Sequence, residues 1–207
     1  VKNLSSSDSV PYHIHALLLA AGESKRFGSA KQLAQIQEQT IILRALSHFS
    51  AAKFNTLTVV LGARAEQIEK LLPPDTNVLI AQHWQQGMGK SIAAGVENLP
   101  DKTTHLFIGL ADQVEIYTKQ CNLLVEQSRK QRTSIVASKY NGRRGAPAIF
   151  PRTFFSQLIK LDTDRGARDL LQNSDDVVEI DLPEAAIDID TETELNAYLA
   201  TLTSSHK

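Results

Sequence analysis

One stretch near the amino end, Leu17-Leu18-Leu19-Ala20-Ala21-Gly22-Glu23-Ser24-Lys25-Arg26-Phe27-Gly28-Ser29-Ala30-Lys31, constrains this chain more than any other. Its unbroken apolar start, Leu17 to Ala20, is what a central strand of a parallel sheet requires, because both faces of such a strand are covered. The small residues Ala20, Ala21 and Gly22 then let a ligand approach the backbone closely at the strand's carboxyl end. Exposed N–H groups of that loop, joined by Arg26 and Lys31, make a cradle for a polyphosphate. An ordinary βα turn with solvated cations is the plainer alternative, and the length of the pattern favours phosphate. The loop is not a Walker A element, which ends in Gly-Lys-Ser/Thr, nor a dinucleotide fingerprint, whose G-x-G-x-x-G spacing is missing.

The length, 207 residues, suits a single α/β domain, residues 1–207, with an ordered core from about 14 to 200. A net charge of −1 gives no field to attract nucleic acid or a membrane surface. No apolar run approaches the ~20 residues of a membrane span, and Val1 to Ser9 lacks the apolar core of a signal peptide. That start and the Thr203 to Lys207 tail read as disordered. The one cysteine, Cys121, reads as a buried structural thiol, and with no disulfide to make it fits a cytoplasmic protein. The histidines, at 13, 15, 48, 83, 105 and 206, show no metal-ligand spacing.

Along the chain, strand, loop and helix alternate. Two small strands are expected around Gln37-Glu38, and Thr40 caps a helix with Ile42, Leu43, Leu46 and Phe49 at helical spacing. Leu57–Leu61 and Asn77–Ala81 read as strands, separated by a helix at Glu66–Leu72 that Pro73-Pro74 stops. A helix is expected over Ile92–Leu99, with Ser91 either its cap or a ligand contact; Lys90 beside it is an additional cation. A further strand carries Asp112 to its carboxyl end, where a carboxylate caps a helix or holds Mg²⁺ with phosphate oxygens. Next come a helix over Tyr117–Lys130, a strand at Ser134–Ser138, and Asn141-Gly142, which with Arg143-Arg144 reads either as a hairpin turn with a solvated surface or as an anion-facing loop. Phe150 to Leu161 continues as strand and helix. Ile187-Asp188-Ile189-Asp190 reads as a short strand with both carboxylates on one face, before a helix boxed by Thr191 and Glu194. The alternation predicts a Rossmann-like three-layer α/β/α fold with a mostly parallel sheet and ligands at the strands' carboxyl ends.

Leu-Ala-Ala-Gly-x-Ser-x-Arg-Phe-Gly-x-x-Lys, from Leu19 to Lys31, resembles the signature of the molybdenum cofactor nucleotidyltransferases, in their cytidylyltransferase branch. Gly87-Met88-x-x-Ser91, Leu110-Ala111-Asp112-Gln113, Arg144-Gly145-x-Pro147, Asp164-x-Gly166-Ala167-Arg168 and Asp188-x-Asp190-Thr191 resemble the later motifs of that family. Val114, Ala146, Thr163 and Glu192 depart from its pattern. The resemblance implies a sheet of the nucleotide-diphospho-sugar transferase type. It implies nucleotide contacts from Leu19, Ala20, Ala21, Gly22, Glu23, Ser24, Gly28, Gly87, Met88 and Ser91, and catalytic roles for Arg26, Lys31 and Asp112. Asp112 and Asp190 are implied as ligands of Mg²⁺, with Mn²⁺ the alternative; Asp188 is left without a role. Arg144, Gly145, Pro147 and Arg168 are implied to meet the acceptor.

The implied reaction transfers CMP from CTP to the terminal phosphate of molybdopterin, releasing pyrophosphate, with a molybdoenzyme or its maturation chaperone receiving the product. The methyl group of Ala21 crowds a purine more than a pyrimidine, which favours CTP over GTP. A sugar or polyol phosphate acceptor, GTP as donor, and a non-catalytic cofactor carrier or chaperone are the competing readings.

Overall fold

Strand β1 (Ile14–Ala20) is buried at every position, and its alternating side chains divide the core in two. Ile14, Ala16, Leu18 and Ala20 meet Ile42, Leu46 and Phe49 of α1 (Ile41–Ser50), Ile68 of α2 (Ala65–Glu69), and Leu124 and Val125 of α4 (Thr118–Lys130). Leu17 and Leu19 meet Ile92 and Val96 of α3 (Met88–Glu97), Leu158 of α5 (Phe155–Leu158), and Leu171 of α6 (Arg168–Asn173). Helices therefore cover both faces of one sheet, in three layers. The computed structural model describes residues 11–204 of the chain. Val1 to Ser9 and the last residues of the expected disordered tail lie outside that range, whereas Thr203 belongs to the final helix.

The sheet has seven strands in the order β5-β4-β1-β6-β8-β7-β9. These are β4 (Thr56–Leu61), β5 (Val78–Ile80), β6 (His105–Leu110), β7 (Ile135–Tyr140), β8 (Arg143–Pro151) and β9 (Val177–Asp181). Every pairing is parallel except the two made by β8. From β1 the chain moves outward through β4 and β5, then crosses back to place β6 on the other side of β1. A crevice opens where the winding reverses, at the carboxyl ends of β1 and β6. Gly22 and Asp112 each lie two residues past those ends.

A third apolar cluster closes one side of this edge. Phe27, Ile36, Ile41, Val114, Ile189 and Tyr198 pack together beneath α7 (Glu192–Ser204) and the small hairpin of β2 (Gln35–Ile36) and β3 (Gln39–Thr40). Thr40 caps α1 as its sequence suggests, accepting from the Leu43 N–H at 3.4 Å. Cys121 is fully buried, and burial pushes its thiol up to about 12, so it stays protonated and inert.

Several boundaries differ from the sequence expectation for definite reasons. α2 ends at Glu69 rather than Leu72, because the chain tightens into three-residue turns ahead of Pro73. α3 begins a turn early, with Gly87 rather than Ser91 at its N-cap, so Ser91 lies inside the helix. The stretch after Asn141-Gly142 is strand β8, as the hairpin reading of that turn expects and the loop reading does not. Both turn residues have positive φ, 49° and 71°, which folds the chain straight back onto β7. Ile187–Asp190 is not a regular strand. Asp188 makes a single bridge to Gln113, and Ile187 points outward while Ile189 is buried.

Candidate active site

The crevice holds a cavity of about 580 Å³. Its floor is the end of β1 and the following loop, from Leu19 through Arg26, and its far wall is Gly87, Met88 and Ser91. Lys31, Asp112 and Asp190 close the remaining side. Gly28 lies outside the lining; its φ of +80° shapes the turn that carries the chain back to Lys31. Lys90 also lies outside the lining.

Three distant segments meet on one ammonium group. Lys31 Nζ donates to Asp112 Oδ2 at 2.5 Å and to Asp190 Oδ1 at 2.8 Å. Arg26 Nη2 donates to the other oxygen of Asp190 at 2.5 Å. Backbone geometry delivers the acids together, since Ile189 N–H donates to the Asp112 carbonyl at 3.1 Å. Burial alone would lower the Lys31 pKa, but the two carboxylates outweigh it and hold the ammonium above its ordinary value. Asp190 moves the other way: burial would raise it, and Lys31 and Arg26 together hold it below its usual range. Asp188 is raised, first by burial and then by the charges of Asp190 and Asp112.

The donor set suits a hard divalent cation. Asp112 Oδ1 is buried without a hydrogen-bond partner, and Asp190 presents a second carboxylate beside it. Two carboxylates side by side are a donor set that Mg²⁺ or Mn²⁺ takes, with other oxygen donors completing the coordination. Among the described residues, no group of three or more His, Cys, Asp or Glu side chains forms a complete protein cage. Asp188 lies within electrostatic reach of the pair but does not line the cavity.

Sequence reading missed several members of this wall. Gln32 is buried at 4% exposure and its Nε2 donates to the Ala20 carbonyl at 3.1 Å and the Gly22 carbonyl at 2.9 Å. It therefore bolts the loop after β1 to the turn bearing Lys31, and its position directly after that lysine was the available signal. Trp84, Gln85 and Asp164 line the same cavity. Trp84 packs so closely on Gly62 that a Cβ there would fall 2.6 Å from its ring.

A second cavity of about 290 Å³ adjoins the first and shares Met88, Leu110 and Asp164 with it. Ile92, Ile108, Ala148, Phe150 and Leu171 give it an apolar lining, and Arg143, Arg165 and Arg168 stand with them. Gly145 and Arg144 also line it, while Pro147 is buried in β8 outside the lining. Arg144 is largely committed elsewhere. Its Nε donates to Glu179 at 2.8 Å, and Nη1 donates to the carbonyls of Leu171 and Ser174, both at 2.9 Å.

The two cavities meet where the 162–168 loop docks on the start of α3. Gly89 N–H donates to the Thr163 carbonyl at 2.8 Å, and a Cβ on Gly87 would fall 2.5 Å from Asp164 Cα. Gly87 also has φ +111°, so Gly87→Ala suffers on both counts and should cost about 1–3 kcal/mol of stability. A melting curve and a nucleotide titration check this: Gly87→Ala should lose more of both than Gly28→Ala, whose Cβ would meet open space.

The family model of the MobA-like NTP transferase domain matches residues 16–177. No curated protein shows a significant match. Among solved structures, Rv0371c from Mycobacterium tuberculosis H37Rv superposes with a TM-score of 0.79 at 25% identity, covering 91% of this chain and 98% of that one. A structure of Rv0371c in complex with manganese gives 0.77 at 24% identity, over 91% and 98%. Molybdopterin-guanine dinucleotide biosynthesis protein A from Archaeoglobus fulgidus gives 0.67 at 14% identity, over 92% and 99%. The sheet is of the nucleotide-diphospho-sugar transferase type.

Proposed function

The chain belongs to the MobA-like NTP transferase family, and from that premise we propose that it transfers CMP from CTP to the terminal phosphate of molybdopterin. The observation that carries this reading is the convergence of Lys31, Asp112 and Asp190 at the end of a small-residue loop. The triphosphate lies along Ala20 to Ser24, with Arg26 on its outer phosphates and Lys31 beside the α-phosphate. Both cations then exchange a carboxylate for a phosphate oxygen, which costs little because each keeps an anionic partner. An oxygen of the acceptor phosphate attacks the α-phosphorus, the α–β bridging bond breaks, and pyrophosphate departs in line. That nucleophile is already anionic, so the chain needs no general base, and positioning with electrostatics supplies the rate.

Asp112 and Asp190 are the residues that would hold the divalent cation, and manganese in the Rv0371c structure fits this assignment. When bound, the ion neutralises phosphate charge and orients the leaving group. Lys31, held cationic by its surroundings, adds a fixed positive charge at the reacting centre.

Ala21 supports cytosine over guanine. It is 6% exposed and lines the cavity, so its methyl group takes space that a purine would need. The neighbouring cavity supports an acceptor that joins an apolar ring system to anionic groups, because Ile108, Phe150 and Leu171 line it together with arginines. With Arg144 tied to Glu179 and two carbonyls, the acceptor's anionic groups fall to Arg143 and Arg168. Gly145 shapes the same wall, since a Cβ there would collide with the Tyr140 ring.

Pyrophosphate release tests the reading. With molybdopterin as acceptor, CTP should exceed GTP by about tenfold or more in kcat/KM, a margin of the size one crowded methyl contact provides. Equal rates with GTP would overturn the base assignment. Faster turnover with a sugar phosphate would overturn the acceptor, and no release with any pair would favour a carrier.

A further inference from the structure

Asp190 is held by backbone contacts at one end of α7, and a second attachment lies two turns along the same helix. At the near end, Glu194 Oε2 accepts from the N–H groups of Asp190 and Thr191, both at 2.8 Å, while Glu194 N–H donates to Thr191 Oγ1 at 3.2 Å. This capping box makes Asp190 move with the helix. The segment just before it touches the sheet through Ile189 and Asp188, which meet Asp112 and Gln113. A rod fixed at one place can still pivot about it.

Leu195, Leu199 and Leu202 pack against the third apolar cluster, and the attachment that reaches the Asp112 segment by a directed bond is Tyr198. Among the described side chains of α7 it alone is buried, at 8% exposure. Its hydroxyl donates to Glu115 Oε1. The other oxygen, Oε2, accepts from the Tyr117 hydroxyl at 2.8 Å, and Arg44 Nη2 donates to Tyr117 Oη at 3.1 Å. Glu115 stands three residues after Asp112. The tie therefore joins the segment that carries one carboxylate to the helix that carries the other, about 12 Å along the helix axis from Asp190 at the α-helical rise.

We propose that the Tyr198–Glu115 hydrogen bond is a positioning element for the carboxylate pair, fixing the angle of α7 so that Asp190 stays beside Asp112. The proposal rests on the assignment of that pair as the divalent-cation ligands. Neither Tyr198 nor Glu115 lines the cavity, so both act through Asp190.

Mn²⁺ titrated into the full chain, with bound and free ion separated by electron paramagnetic resonance, tests the inference apart from turnover. Asp190→Ala should abolish or severely weaken binding, which establishes the ligand assignment itself. Tyr198→Phe should weaken Mn²⁺ by about tenfold, the scale on which groups behind a metal ligand act, and Glu115→Gln should weaken it in the same direction. Tyr12→Phe is the matched control. It deletes the hydroxyl bond to Ser128 at 3.1 Å, ahead of β1 at the opposite end of the sheet. If Tyr198→Phe and Tyr12→Phe lose similar stability but only the former loses Mn²⁺ affinity, the positioning role stands. If Asp190→Ala weakens Mn²⁺ and Tyr198→Phe does not, the tie is merely structural and the inference fails. If Asp190→Ala binds Mn²⁺ like the parent chain, the ligand assignment fails and the inference with it.

Discussion

Asp112→Ala should reduce kcat by about 10³-fold, at the upper end of what single electrostatic groups at a reacting centre supply, while the protein remains folded. The side chain is 23% exposed and its Oδ1 has no partner to lose, so little of the fold depends on it. What the variant does lose is half of the carboxylate pair, and with it the counter-charge that holds Lys31 in place. The residual turnover should not be restored by raising Mg²⁺, because Asp190 alone offers one carboxylate where the site presents two. Circular dichroism and a melting curve establish the fold, and pyrophosphate release reads the activity. Near-parental turnover from a folded Asp112→Ala would remove this carboxylate from the chemistry altogether.

The architecture was legible because local and global signals agreed along β1. An apolar run with small residues after it can be little else than a buried strand entering a ligand loop, and Ile14–Ala20 is buried throughout. Asp112 was visible for the same reason, as an acid at the end of an apolar strand. Less legible was whatever depends on chain direction or on long-range docking. Arg144 carried no local mark of its ties to Glu179 and to the carbonyls of Leu171 and Ser174, since its partners lie at least 27 residues away in sequence. Gln32 was hidden by its chemistry: a glutamine in a polar stretch reads as solvated, and only the folded loop turns the Ala20 and Gly22 carbonyls toward it. Ile187–Asp190 misled because alternation of acid and isoleucine implies a strand, whereas Ile187 is 41% exposed and only Ile189 is buried. Asp164 was read as part of the motif that ends in Arg168 but was given no role of its own, although it borders both cavities.

Lys31→Met should act in opposite directions on catalysis and on binding of the bare cation, and that contrast makes it the more diagnostic variant. In the ligand-free chain the ammonium bridges Asp112 and Asp190 at 2.5 and 2.8 Å, on the oxygens a divalent ion would need. Removing it frees Asp112 and one oxygen of Asp190, whose other oxygen still meets Arg26, and leaves much of their mutual repulsion uncompensated, so Mn²⁺ without nucleotide should bind more tightly than to the parent. Turnover should nevertheless fall by about 10²-fold, because the fixed cation beside the α-phosphate is gone. The parent enzyme supplies the pH control. With the Lys31 pKa raised by its two acidic neighbours, the group stays protonated through the neutral and mildly alkaline range in the free chain, so no loss of kcat/KM should trace to it there. Arg26→Met provides the comparison, since that side chain is 72% exposed and meets only the outer oxygen of Asp190. It should raise the nucleotide KM more than it lowers kcat, as expected of a group gripping the departing phosphates rather than the reacting one. Should Lys31→Met weaken Mn²⁺ instead, the lysine would be a structural support of the carboxylate pair, and its assignment to the reacting phosphate would lose its basis.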